Sequence, residues 1–158
     1  MSFVFSQAPE FEAANEQYSA TFNKGHLALP PARLADPAKL LGLEEGDAPV
    51  IRNAGGRALD AISSLIISQQ LLGTREIVLV HHTYCGMLTF SDDSLRQKIR
   101  SELEQDADHI AFLWFRDLEA SVLDDMRRIE QEPSLLIVPI TGYIYHAENR
   151  KMTKVKWV

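Results

Sequence analysis

His82 and Cys85 are the residues of this chain whose types and spacing best suit chemistry. They form an H-x-x-C pair in the segment VLVHHTYCGM, directly after an apolar run. Imidazole nitrogen and thiolate sulfur are the preferred protein ligands of zinc, and a three-residue offset in a loop lets both point at one ion. Taken alone, the pair has a second reading, a satisfied core histidine beside an inert buried cysteine. A third reading makes Cys85 a covalent nucleophile activated by His82, but no orienting group for such a pair can be named from the sequence. Cys85 is the only cysteine in the 158 residues, so no intrachain disulfide can form. One other stretch invites close approach of backbone to a neighbour: the tight turn Asn53-Ala54-Gly55-Gly56.

These residues need strands to carry them. Residues 75–81, REIVLVH, read as a strand covered on both faces, and residues 48–52, APVIR, as a shorter buried one. Both run into the loops named above, where an open α/β sheet gathers its chemistry. A helix over 57–73 follows the glycine turn, with Ala61, Ile62, Leu65, Ile66 and Gln69 as its core-facing stripe and Gly73 ending it. Further helices are predicted at 91–103, capped by Ser91, and at 117–131, ahead of Pro133. LLIVPITGYIYH and KMTKVKWV, joined by Ala147-Glu148-Asn149, read as a closing hairpin.

Upstream, residues 8–24 favour a polar helix ended by Gly25, with a thin stripe of Phe11, Ala14, Tyr18 and Phe22. Such a helix lies on the surface or forms an arm on a partner subunit. Residues 26–35, HLALPPARLA, hold two prolines and make a poor central strand. Asp36-Pro37 then opens a short helix that runs to Leu41 and stops at Gly42. The expected fold is α/β, a mainly parallel sheet flanked by helices with a C-terminal antiparallel hairpin. It is one domain over 1–158, with a helical arm at 1–25 and an α/β core at 26–158.

The net charge of −6 and pI near 5.3 give no footprint for nucleic acid. Arg150, Lys151, Lys154 and Lys156 are interleaved with apolar residues, as on an edge strand. The first residues lack the basic start and long apolar core of a signal peptide. No apolar run approaches the roughly 20 residues that span a bilayer. The expectation is a cytoplasmic protein without membrane or nucleic-acid partners.

VIRNAGGRALDAISSLIIS followed by VLVHHTYCGM resembles the core of the β-class carbonic anhydrases. The lead-in LLGLEEGDAPVIRNAGG, the segment DLEASVLDDMRRIEQEP and the ending ITGYIYHAENRKMTKVKW also resemble that family, from about Asp36 to Val158. The resemblance implies zinc held by Cys, His and Cys, with a water or hydroxide in the fourth position that attacks CO2. It implies an Asp-Arg pair that orients this fourth ligand, and a homodimer embraced by N-terminal arms. Carried over by residue, His82 and Cys85 match two zinc ligands, and Gly56 matches a backbone donor to CO2 or bicarbonate.

The family's first motif, roughly Cys-Met-Asp-Ala-Arg-Leu at the end of the first strand, has no counterpart with a cysteine here. An ungapped alignment puts Leu29 on the cysteine and Pro31 on the aspartate, and keeps Arg33 as the dyad arginine. The alternative, which we favour, takes Leu29 to Arg33 as the proline-containing lead-in and the strand with its motif, on the order of ten residues, as missing. A third zinc donor would then come from His26, His81, Asp36 or a second subunit. Tyr84 would stand where the family often has a small polar or acidic residue. Three functions follow: an impaired CO2-hydrating enzyme, a non-catalytic family member acting as a subunit, or a hydrolase of a CO2-like small molecule.

Overall fold

The computed structural model describes residues 6–21 and 36–157. Three strands form one mixed sheet in the order β1-β2-β3: β1 (Ile77–His82), β2 (Ile140–Tyr145) and β3 (Met152–Lys154). β1 and β2 are parallel, with Ile77 opposite Ile140 and His82 opposite Tyr145. β2 and β3 form the expected antiparallel hairpin. Among the described residues five α-helices accompany the sheet: α1 (Ala8–Thr21), α2 (Pro37–Leu41), α3 (Ile62–Leu71), α4 (Asp92–Leu103) and α5 (Leu118–Gln131).

α5 explains one face. Ser121, Val122, Asp125, Met126 and Ile129 recur at helical spacing and are all buried. Its start is fixed by Asp117, whose Oδ1 accepts the Ala120 N–H at 2.7 Å. Val122, Met126 and Ile129 pack on Ile77 and Leu79 of β1, with Ile140 and Ile144 of β2 alongside. Each such buried side chain is worth about 1.5–3 kcal/mol. The opposite face is covered from the N-terminal side: Leu40 of α2 and Tyr18 of α1 pack with Val80, Tyr145, Ala147 and Met152. Because side chains alternate along a strand, His81 goes to the α5 face and His82 to the other.

α1 is anchored within the chain. Asn15 is buried, donating to the Arg150 carbonyl at 3.1 Å and accepting from the Met152 N–H at 2.7 Å. The Tyr143 hydroxyl donates to Glu12 Oε1 at 3.1 Å. The sequence pattern named Phe11, Ala14 and Tyr18 as the contact stripe; Asn15, polar in sequence, is the most deeply held position beside Ala8. α2 ends at Gly42, whose φ of +67° and N–H bonds to Ala38 and Lys39 carbonyls close the turn. Asp36 opens α2 without a side-chain cap and pairs instead with Lys39 at 3.6 Å. Ser91 caps α4 through a reciprocal bond with Ser94.

Three expectations change. Residues 48–52 form no strand, and Val50 and Ile51 are 48% and 41% exposed. The Ile77 N–H bonds to the Pro139 carbonyl just before β2 and the Thr83 N–H to the Tyr145 carbonyl, and β1 is an edge of the sheet among the described residues. A Val-Ile pair has strand propensity only against a neighbouring backbone, and none among the described residues pairs with it. The strand expected over LLIVPITGYIYH begins only at Ile140, after Pro139, which has no N–H for a ladder. The predicted helix over 57–73 is split into a short 3₁₀ turn, Leu59–Ala61, and α3. Residues 26–35, and with them His26, Arg33 and the Leu29 to Arg33 lead-in, lie outside the described residues.

Candidate functional site

β1 delivers His82 to the end of the sheet, and the chain turns through Thr83 and Tyr84 to Cys85. Tyr84 takes a φ of +58° and is exposed, so it neither fills a cleft nor packs in the core of this chain. Cys85 is buried, in a cluster with Met87 and Phe115. His82 Nδ1 lies 2.8 Å from the Thr83 carbonyl. A carbonyl only accepts, so Nδ1 carries a hydrogen and Nε2 is the nitrogen left to meet Cys85. That is the arrangement of most metal-ligating histidines.

His82 and Cys85 interact directly. The hydrogen bond with Cys85 raises the His82 imidazole above its ordinary value, aided by the Thr83 carbonyl and the Cys85 charge and opposed by burial and by Arg52. Burial pushes the Cys85 thiol up, but the His82 hydrogen bond, the Met87 backbone N–H and the His82 charge outweigh it and bring it down. Both shifts run toward the charged forms of the pair, and a metal cation bound by the two side chains would displace the proton between them. Arg52, in the VIRNAGG segment, is the charged residue near the pair that pattern reasoning passed over; its only sequence signal was its place before the glycine turn.

The donor set does not fit a complete zinc site. Two protein donors meet here, and no group of three His, Cys, Asp or Glu side chains with metal-binding geometry occurs among the described residues. His81 is not the third. It is 1% exposed on the α5 side, with Nδ1 2.8 Å from Ser121 Oγ and Nε2 3.3 Å from both the Gly56 carbonyl and Asp125 Oδ2. Asp36 is occupied with Lys39. His26 and Arg33 are outside the described residues.

Gly55 and Gly56 have φ of +74° and +69°, the left-handed region that the turn needs. A Cβ on Gly56 would lie 3.0 Å from His81 Cδ2 and 3.1 Å from the Val80 carbonyl. The turn thus sits against β1 one residue before His82. The Gly56 N–H points back to Asn53 O over a long 3.4 Å. Arg57 follows, 5% exposed, pairing with Asp124 at 3.0 Å and Asp125 at 3.3 Å and lying over the Phe115 ring.

With the H-x-x-C loop at the end of a parallel strand and the glycine turn packed against it, the comparisons are decisive. β-Carbonic anhydrase 1 of Mycobacterium tuberculosis is 40% identical over 163 residues, covering 92% of this chain and 96% of its own. The chain belongs to the β-carbonic anhydrase family. Two solved carbonic anhydrases share the fold: that of Glaciozyma antarctica, with 40% identity, a TM-score of 0.72 and coverage of 96% of this chain and 100% of that one, and that of Streptococcus mutans, with 36%, 0.75, 98% and 100%. A carbon disulfide hydrolase of Acidianus sp. is 30% identical over 139 residues, 72% of this chain and 68% of its own. No family model matches. The family's reaction is the hydration of CO2, and β-carbonic anhydrases are zinc enzymes. No described helix is long and apolar enough to cross a membrane.

Proposed function

We propose that this chain is a β-carbonic anhydrase relative that keeps the His82–Cys85 half of the zinc site and hydrates CO2 poorly because the other half is missing. One observation carries this: Cys85 is the sole cysteine in the sequence, so one subunit offers a single thiolate to a metal that its family holds with two. The alignment with the mycobacterial enzyme supports it. Its 163 positions exceed the whole 158-residue chain, so it includes positions this chain lacks. We place the gap at the missing Cys-x-Asp-x-Arg strand, next to the edge of β1. Gly56 is the backbone donor to a bound CO2 or bicarbonate on this reading, and Arg33 has a role only if the ungapped alignment holds.

The test is metal content and turnover together. As purified, the protein should carry clearly less than one zinc per chain and show little CO2 hydration, and Cys85→Ser should remove what zinc there is. Stoichiometric zinc with fast turnover would overturn the proposal; zinc unchanged by Cys85→Ser would refute the ligand assignment. The chain acts as a cytoplasmic homodimer on this reading, with the exposed apolar side chains Ile67, Leu71 and Leu72 at the end of α3 available for a second copy. A monodisperse monomer in light scattering would count against that. The carbon disulfide hydrolase relatives make a CO2-like sulfur compound a second substrate to assay on the same samples. Absence of turnover on both substrates would favour the non-catalytic subunit.

A further inference from the structure

His81 precedes the His82–Cys85 pair in sequence, faces the other side of β1, and has no task in the reading above. Its ring is held on every side. With the Nε2 hydrogen directed at the Gly56 carbonyl, which only accepts, Nδ1 accepts from the Ser121 hydroxyl at 2.8 Å. Asp125 Oδ2 and the Gly56 carbonyl each stand 3.3 Å from Nε2. Phe115 stacks on the ring, centroids 5.5 Å apart and 20° from parallel. Behind it Asp125, fully buried, meets Arg57 at 3.3 Å.

Burying this many polar groups is costly unless they are matched, and an apolar side chain of similar size would fill the space more cheaply. What the imidazole does that an apolar group cannot is hold the carbonyl of Gly56. From that turn the contacts lead to the cysteine. A Cβ on Gly55 would lie 2.7 Å from Met87 Cγ and 3.1 Å from the Phe115 ring. Met87 and Phe115 are the two buried residues that enclose Cys85.

We propose that His81 is a positioning residue: its hydrogen bond to the Gly56 carbonyl pins the glycine turn to β1 and keeps Met87 and Phe115 closed over Cys85. The inference rests on the His82–Cys85 loop being the functional site, but its test uses neither zinc nor CO2, so the two can fail separately. His81→Leu fills most of the space and loses the donor. His81→Gln keeps an amide N–H for the Gly56 carbonyl. The readout is the rate at which Cys85 of the metal-free full chain reacts with an aromatic disulfide reagent, under conditions where each variant is folded. Val122→Ala is the control, removing core packing beside Gly142 on the same helix.

His81→Leu should raise the rate roughly 2- to 30-fold, the range in which side chains along a contact network modulate a distant site. His81→Gln should return it close to the parent value, and Val122→Ala should leave it within about twofold. Ser121→Ala, which removes the Nδ1 partner and keeps the ring, should move the rate in the same direction by less. The proposal fails if His81→Leu and Ser121→Ala leave the rate unchanged. It also fails if His81→Gln reacts as fast as His81→Leu, or if Val122→Ala accelerates the reaction equally, since either result would mean general loosening and not a directed hydrogen bond.

Discussion

Gly56→Ala is the sharpest test of the close approach between the glycine turn and β1. Two costs add. At φ +69° any L side chain is strained by about 1–2 kcal/mol. The new methyl also meets His81 Cδ2 at 3.0 Å and the Val80 carbonyl at 3.1 Å. Neither neighbour yields easily, because one is backbone and the other is a ring held by Ser121, Asp125 and Phe115. Overpacking of this kind costs about 1–3 kcal/mol, for a total of about 2–5 kcal/mol. Gly73→Ala separates the terms: φ is +77°, but no atom lies within 4 Å of the added carbon, so only the conformational cost of about 1–2 kcal/mol remains. Urea unfolding of both variants, read as midpoint shifts at constant slope, gives the comparison. Equal destabilisation of the two would refute the contact between the turn and the His81 ring.

Asn15→Ala strands the Arg150 carbonyl and the Met152 N–H in a buried place and should cost about 2–4 kcal/mol, measured by the same titration; a loss under about 0.5 kcal/mol would mean that α1 is not anchored there. The third prediction concerns pH. His82 lowers the Cys85 thiol against the upward push of burial, so His82→Ala should leave only the Met87 N–H opposing burial and move the pH at which Cys85 becomes alkylated upward. Iodoacetamide rates across the pH range in metal-free protein provide the measurement, and an unmoved profile would rule out the pairing.

Much of this molecule was readable from local pattern. The α5 helix ahead of Pro133, the Ser91 cap, the stop at Gly42 and the β1 run each depend on residues within a few positions of one another, and each formed where expected. The H-x-x-C loop was likewise recognisable, since strand and loop chemistry are adjacent in the chain. APVIR failed because a strand is a pairwise object: its apolar residues say it can pair, not that a neighbour exists. The anchoring of α1 by Asn15 was hidden for a related reason. A polar residue between apolar ones reads as a solvent position until the carbonyl and N–H it satisfies are brought to it from the hairpin.

The sequence alone settled the inventory of donors. One thiol is one thiol whatever the fold, and no packing can create a second. The tertiary structure alone decided how two adjacent histidines divide. The sheet sends them to opposite faces, where Asp125, Ser121 and Gly56 claim His81 and leave His82 to pair with Cys85. Those partners are remote in sequence and meet only because β1, α5 and the glycine turn pack together, a long-range arrangement that no local spacing encodes.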